Sequence, residues 1–161
     1  MAAFSVADEL RQIGTKLKEN FGENFLGSRE DRGELSFWVL PAVWIEASAL
    51  LVQEGFDHLS DLTAVDYLDR DPRFDVMSIL SNQESRSYLR LKTVLDEDET
   101  LDSLTVLWSG SNWFEREIFD LFGIKFNSHP DQRRILLPED YKGHPLRKDY
   151  PITGPASSVF R

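Results

Sequence analysis

Phe74-Asp75-Val76-Met77-Ser78-Ile79-Leu80, then Ser81-Asn82-Gln83-Glu84-Ser85, then Tyr88-Leu89-Arg90-Leu91-Lys92-Thr93-Val94-Leu95 is the stretch that decides the fold class. The first run is apolar on both faces. The second alternates, with Leu89, Leu91 and Leu95 on one side and Arg90 and Lys92 on the other. Alternation with period two is what a half-exposed strand requires. The polar residues between the runs are turn formers, so the spacing predicts two strands with a turn between them. Immediately upstream, Leu59 to Leu68 reads as another strand, and Asp69-Arg70-Asp71-Pro72 as a turn.

Working outward, the pattern changes to helical spacing. Val6, Leu10, Ile13 and Leu17 recur on one helix face, with Ser5 and Asp8 as a capping pair and Gly22 as a stop. Leu35 to Leu40 predicts a short strand. Pro41 suits a first helical position, and Ala42 to Gln53 predicts a largely apolar helix closed by Gly55. Leu104, Val106 and Trp108 lead either into a strand or into the next helix. Asn112 with Glu115 predicts the cap of a helix from Trp113 to Phe122, ended by Gly123. Its apolar stripe is Phe114, Ile118, Leu121 and Phe122, with Arg116, Glu117 and Asp120 on the remaining side.

This element order predicts an α+β fold: a two-layer domain with helices on a mixed, mainly antiparallel sheet. The domain is expected over residues 1–126, ending in the Glu-Arg-Glu helix. Residues 127–161 are expected to form an extended, partner-binding arm. Five of the seven prolines lie from Asn127 onward, and each disfavours helix at the residue before it. The arm is dense in charge and poor in periodic apolar residues, which predicts that another protein holds it.

Composition narrows the function. The chain has 161 residues and no cysteine, so it offers no thiolate for a disulfide, a zinc site or an iron–sulfur cluster. Net charge is −10, concentrated before residue 111, which argues against nucleic acid and anionic lipid. No apolar run is long enough to span a bilayer. The first residues lack the layout of a secretion signal, so a cytoplasmic location is expected.

Candidate chemistry is sparse. Glu115 and Glu117 are two apart on a helix, about 200° around from each other, and cannot share a proton. His129 and His144 each precede a proline, which directs the ring but supplies too few ligands for a metal. Arg133-Arg134 and Arg147-Lys148 are basic pairs suited to a partner's carboxylates. Nucleotide-binding and common hydrolase motifs do not occur.

The C-terminal residues closely resemble the signature of the C-type, or 30-kilodalton, subunit family of NADH:quinone oxidoreductase (respiratory complex I). The matching residues are Glu115, Arg116, Glu117, Asp120, Leu121, Phe122, Gly123, Ile124, His129, Pro130, Asp131, Arg133, Arg134, Ile135, Leu136, Gly143, His144, Pro145, Leu146, Arg147, Lys148 and Asp149. Asp66-Tyr67, Arg70, Pro72-Arg73-Phe74 and Leu89-Arg90-Leu91-Lys92 also fit, so the resemblance runs from about Leu59 to Pro151. Ser128 and Gln132 depart from the residues common in the family, and Leu121 keeps the apolar character of the position where many relatives have methionine.

The resemblance implies a cofactor-free structural subunit of the peripheral arm of this proton-translocating enzyme. FMN and iron–sulfur clusters would reside in partner subunits, carrying electrons from NADH to quinone. It implies partners D, B and I, and attachment to the cytoplasmic side of a bacterial inner membrane through the complex. No catalytic, cofactor-binding or metal-binding residue is expected. The signature residues Glu115, Arg116, Glu117, Asp120, His129, Pro130, Asp131, Arg133, Arg134, Gly143, His144, Pro145, Arg147, Lys148 and Asp149 are expected at subunit interfaces. Three rivals are an equivalent scaffold subunit of a membrane-bound hydrogenase-type complex, a stand-alone enzyme using His129 with Asp131 or Glu115 as acid and base, and a freely acting adaptor outside any respiratory complex.

Overall fold

The computed structural model describes the backbone of residues 6–153 and the side chains of residues 10–153. Helix α1 (Val6–Phe21) leads to strands β1 (Phe25–Asp31) and β2 (Glu34–Val39), then α2 (Trp44–Gln53). Strands β3 (His58–Asp66), β4 (Phe74–Asn82), β5 (Ser87–Leu95) and the short β6 (Thr100–Asp102) follow. Helix α3 (Ser111–Phe122) and the short β7 (Lys125–Asn127) close the regular structure. The fold is α+β, as expected. A five-stranded mixed sheet has the order β1-β2-β5-β4-β3, with β1 antiparallel and β5 parallel to β2. The capping pair expected at Ser5 and Asp8 lies outside the described residues.

Two compact units are distinguished. The first holds the residues up to Leu62 together with Met77–Val94. In it, Leu10, Ile13 and Leu17 are buried from α1, and Trp44, Ala47 and Leu51 from α2. Gly14 lets α1 approach β2 closely, because a Cβ there would meet Phe37 Cε1 at 2.9 Å. Pro41 opens a single 3-10 turn before α2 rather than the helix itself. Between β4 and β5, Asn82 Oδ1 accepts the amides of Glu84 and Ser85, at 2.9 and 3.0 Å, which makes the turn.

Strand β1 was not expected. Its sequence, Phe-Leu-Gly-Ser-Arg-Glu-Asp, is mostly exposed and carries no apolar alternation. Arg32 and Gly33, with φ of 52° and 82°, form the two-residue turn that pairs Asp31 with Glu34. The charged residues suit an edge strand, where they discourage pairing with another chain.

The second unit holds Thr63–Val76 and everything described from Leu95 onward. Strands β6 and β7 pair in parallel. Leu104–Val106 forms a 3-10 turn, settling the question left open at Leu104. Leu95, Leu101, Leu104, Ile118, Phe122 and Phe126 are buried. From Ser128 to Thr153 no residue is fully buried and no regular element forms. The arm therefore has no apolar core of its own.

Candidate functional site

Helix α3 begins at Ser111, after Gly110, and has no side-chain cap. Asn112 thus lies inside the helix, and the expected Asn112–Glu115 cap does not form. Glu115 instead points inward and is fully buried. Its Oε2 accepts the Ser103 hydroxyl at 2.6 Å, and its Oε1 accepts the Leu104 amide at 2.7 Å. Those donors open the Leu104–Val106 turn, so Glu115 caps a neighbouring segment. Burial pushes the Glu115 carboxyl up, against the hydrogen bonds from Ser103 and Leu104.

The His129 ring is buried beside it, with Nε2 3.8 Å from Glu115 Oε2 and 3.3 Å from the Asn112 carbonyl. Its Nδ1 accepts the Asp131 amide at 3.0 Å, which leaves the ring proton on Nε2. Asp131 in turn forms a two-point pair with Arg133, 2.7 Å at both contacts. Glu117 and Pro130 face solvent.

One turn along α3, Arg116 and Asp120 grip the arm by its backbone. Arg116 donates to the carbonyls of Arg133 and Arg134, both at 3.0 Å. Asp120 is fully buried. Its Oδ1 takes Arg134 Nη1 at 2.6 Å, and its Oδ2 takes the amides of Ile135, Leu136 and Leu137 at 3.0, 2.8 and 2.9 Å. Three successive amides around one oxygen form an anion nest. Burial alone would raise the Asp120 carboxyl. The Leu137, Arg134, Leu136 and Ile135 bonds outweigh it and hold the carboxyl below the usual range. Arg116 and Asp120, four residues apart on the helix, thus hold the arm with two separate grips.

The end of α3 is capped by the same arm. The last carbonyls of a helix have no partner within it. Phe119 O accepts the Gly123 amide at 3.0 Å, and Leu121 O the Leu146 amide at 3.1 Å. Asp120 O accepts His144 Nδ1 at 2.9 Å and Arg134 Nη1 at 3.1 Å, and Phe122 O accepts Arg147 Nε at 2.7 Å. Arg134 Nη2 also reaches Gly143 O at 3.1 Å. Gly123 has φ +81°, and a Cβ there would meet His144 Cδ2 at 2.7 Å. The His144 ring also stands edge-on to Phe119, with centroids 6.2 Å apart. A cationic imidazole would be welcome at a helix C-terminus. Here burial dominates, Arg134 and Arg147 add repulsion, and the His144 pKa is lowered.

A third cluster fastens the end of the arm. Arg73 forms a two-point pair with Asp66 at 2.7 and 2.8 Å, and contacts Asp149 at 2.9 Å and Glu97 at 3.1 Å. Asp66 Oδ2 also accepts the Lys148 amide at 2.7 Å. Arg147 reaches Glu97 at 3.0 Å. The Arg73 and Arg147 guanidiniums lie 5.1 and 5.3 Å from the Phe74 ring centroid. Hydrogen bonding to Arg73 holds the Asp66 and Asp149 carboxyls below their usual range.

The arginines expected to meet a partner's carboxylates, Arg133, Arg134 and Arg147, thus have carboxylates within the chain. Asp66 and Arg73 entered the sequence reading only through the resemblance and, with Glu97 and Ser103, were not expected as site residues. The signal for Asp66 and Arg73 was a charge at a buried strand-end position, where an unpaired charge is costly. Glu97 and Ser103 gave no signal. Among the described residues, no three His, Asp or Glu side chains converge as metal ligands. The Glu115 and His129 side chains have no exposed surface, so the pair cannot touch a dissolved substrate. Chemically, the arrangement is a set of polar clamps between α3, the Arg73 cluster and the arm.

A family model described as "Respiratory-chain NADH dehydrogenase, 30 Kd subunit" matches residues 37–156. The C-type subunit of the NADH-quinone oxidoreductase of Geobacter sulfurreducens is 44% identical over 149 residues, covering 91% of this chain and 92% of the relative. Among solved structures, the trypsin-resistant fragment (1-134) of Nqo5 matches with a TM-score of 0.64 at 29% identity, over 76% of this chain and 98% of that one. A chain of the membrane-bound sulfane sulfur reductase, an archaeal respiratory membrane complex, matches with a TM-score of 0.75 over 88% of this chain and 85% of that one. At 20% identity, that second likeness shows a shared fold.

Proposed function

The chain belongs to the 30 kDa subunit family of respiratory-chain NADH dehydrogenase, and from that premise we propose that it is a structural subunit of the peripheral arm of a proton-translocating NADH:quinone oxidoreductase. It carries no redox group itself. FMN and iron–sulfur clusters reside in partner subunits, and subunits D, B and I are its neighbours. It lies on the cytoplasmic side of a bacterial inner membrane, attached through the complex. The observation that carries the reading is the arm: a segment without a core, set in one conformation by α3 and the Arg73 cluster. Such a segment suits a pre-ordered binding surface. The absence of cysteine supports the lack of a cluster. No helix among the described residues is long and apolar enough to cross a membrane, which agrees with attachment through other subunits.

A related membrane-bound complex of hydrogenase type is the second reading, favoured by the fold shared with the sulfane sulfur reductase chain. The acid–base enzyme is disfavoured by the buried Glu115 and His129 side chains. The test is isolation of the tagged chain from detergent-solubilised membranes. Co-isolation of flavin- and NADH-binding subunits is expected. Hydrogenase-type subunits in their place favour the second reading, and a chain recovered alone contradicts both.

A further inference from the structure

The arm borders an open cleft of about 770 Å³, walled by Leu137, Tyr141, Pro145, Leu146, Tyr150 and Ile152, with Arg147 and Lys148 also in its lining. The wall is built rather than incidental. Gly143, with φ +90°, admits the Tyr150 ring so closely that a Cβ would meet it at 2.7 Å. The Tyr150 hydroxyl lies 2.6 Å from that of Tyr141. Leu146 and Ile152 are nevertheless exposed, by 49% and 106%, so the apolar surface is left open.

Charge selects the occupant. The lining holds two cations and no carboxylate. Arg147 is committed to the Phe122 carbonyl and to Glu97. Lys148 is exposed, and among the described residues its amine has no carboxylate within ion-pair distance. Its own backbone amide is fixed on Asp66, so the position of the side chain's root is set. A second copy of this chain would bring another net charge of −10, which opposes self-association. The chain's own residues 154–161 contain no Asp or Glu and one Arg, a poor match for a cationic rim.

We propose that this cleft receives a segment of a partner subunit that inserts an apolar side chain between Leu146 and Tyr150 and sets a carboxylate on Lys148. This rests on the subunit reading above and specifies the chemistry of the contact. Arg133, Arg134 and Arg147 build the arm from within, and Lys148 faces outward.

Two measurements on the assembled complex test it. A photo-crosslinking amino acid at Ile152 is expected to join a different chain, in a peptide with Asp or Glu beside the attachment point. Crosslinks to a second copy, to residues 154–161, to an acid-free peptide or to nothing would overturn the proposal. In cells co-expressing tagged wild type and Lys148→Glu, the variant is expected to enter the complex about fivefold less often, while Lys148→Arg keeps pace. Equal incorporation of Lys148→Glu would also overturn it. Either failure leaves the subunit reading intact so long as the wild-type chain still isolates with flavin- and NADH-binding subunits.

Discussion

Four donors converge on the Asp120 carboxylate: the Arg134 guanidinium and three consecutive backbone amides. That number explains how a fully buried carboxylate stays charged, since each charge-assisted bond offsets part of the desolvation cost. Two residues carry opposite pH signatures. Burial raises the Glu115 carboxyl, so its contribution favours folding at low pH and fades as pH rises through the carboxylate range. His144 works the other way. Its folded pKa lies below the ordinary value of 6.5, chiefly through burial. Above that value both folded and unfolded chains hold a neutral ring. As pH falls below it, the unfolded chain takes up a proton that the folded chain refuses, and stability drops. His144→Gln keeps a donor for the Asp120 carbonyl and cannot titrate. Urea unfolding between about pH 7.5 and 5.5 is expected to show a shallower loss of stability for the variant than for wild type. Parallel curves would show that His144 is not held neutral in the fold.

At the scale of elements, α3 sets the arm in place at both its side and its end. Gly123 is where the two requirements meet, a left-handed backbone and space for the His144 ring. Gly123→Ala is expected to cost about 1–2 kcal/mol from the backbone alone and to expose the arm to trypsin at Arg147 and Lys148. Gly22→Ala is the comparison. It shares the positive φ of 54°, but its Cβ would enter open space, so it should pay the strain and leave the arm protected. Equal digestion of the two variants would contradict the cap described here. Helices α1, α2 and α3 and strands β2 to β5 were legible in the sequence, because each carries an apolar face with its own period or, as in β4, an apolar run bounded by turn formers. Strand β1 was not, because it buries almost nothing, and β6 and β7 are three residues each, too short for periodicity. The Asn112–Glu115 spacing fits a cap, yet the helix starts two residues earlier, at Ser111, and the carboxylate serves Ser103 and Leu104. Likewise, the density of charge in the arm was plain, but its pairing was not. Arg73 and Asp149 lie 76 residues apart, and nothing local joins them.

For the whole molecule, the distinction that matters is between building a surface and performing chemistry. The arm was expected to be fixed only by a sister polypeptide. Its bonds to Asp120, Asp66, Arg73 and the α3 carbonyls give it a scaffold within its own chain, and leave Leu136, Leu146 and Ile152 exposed. Polar clamps here stand where apolar burial holds the rest of the chain. Breaking one buried partner of such a pair leaves the other uncompensated, a loss of about 3–5 kcal/mol. Arg134→Ala removes the contacts to Asp120 and to Gly143 together. The most direct test of the structural role is therefore to measure, in membranes carrying Arg134→Ala, both the yield of assembled oxidoreductase and the NADH:quinone turnover of each assembled complex. A structural role predicts a lower yield with turnover per complex unchanged; full assembly with turnover lost would contradict it.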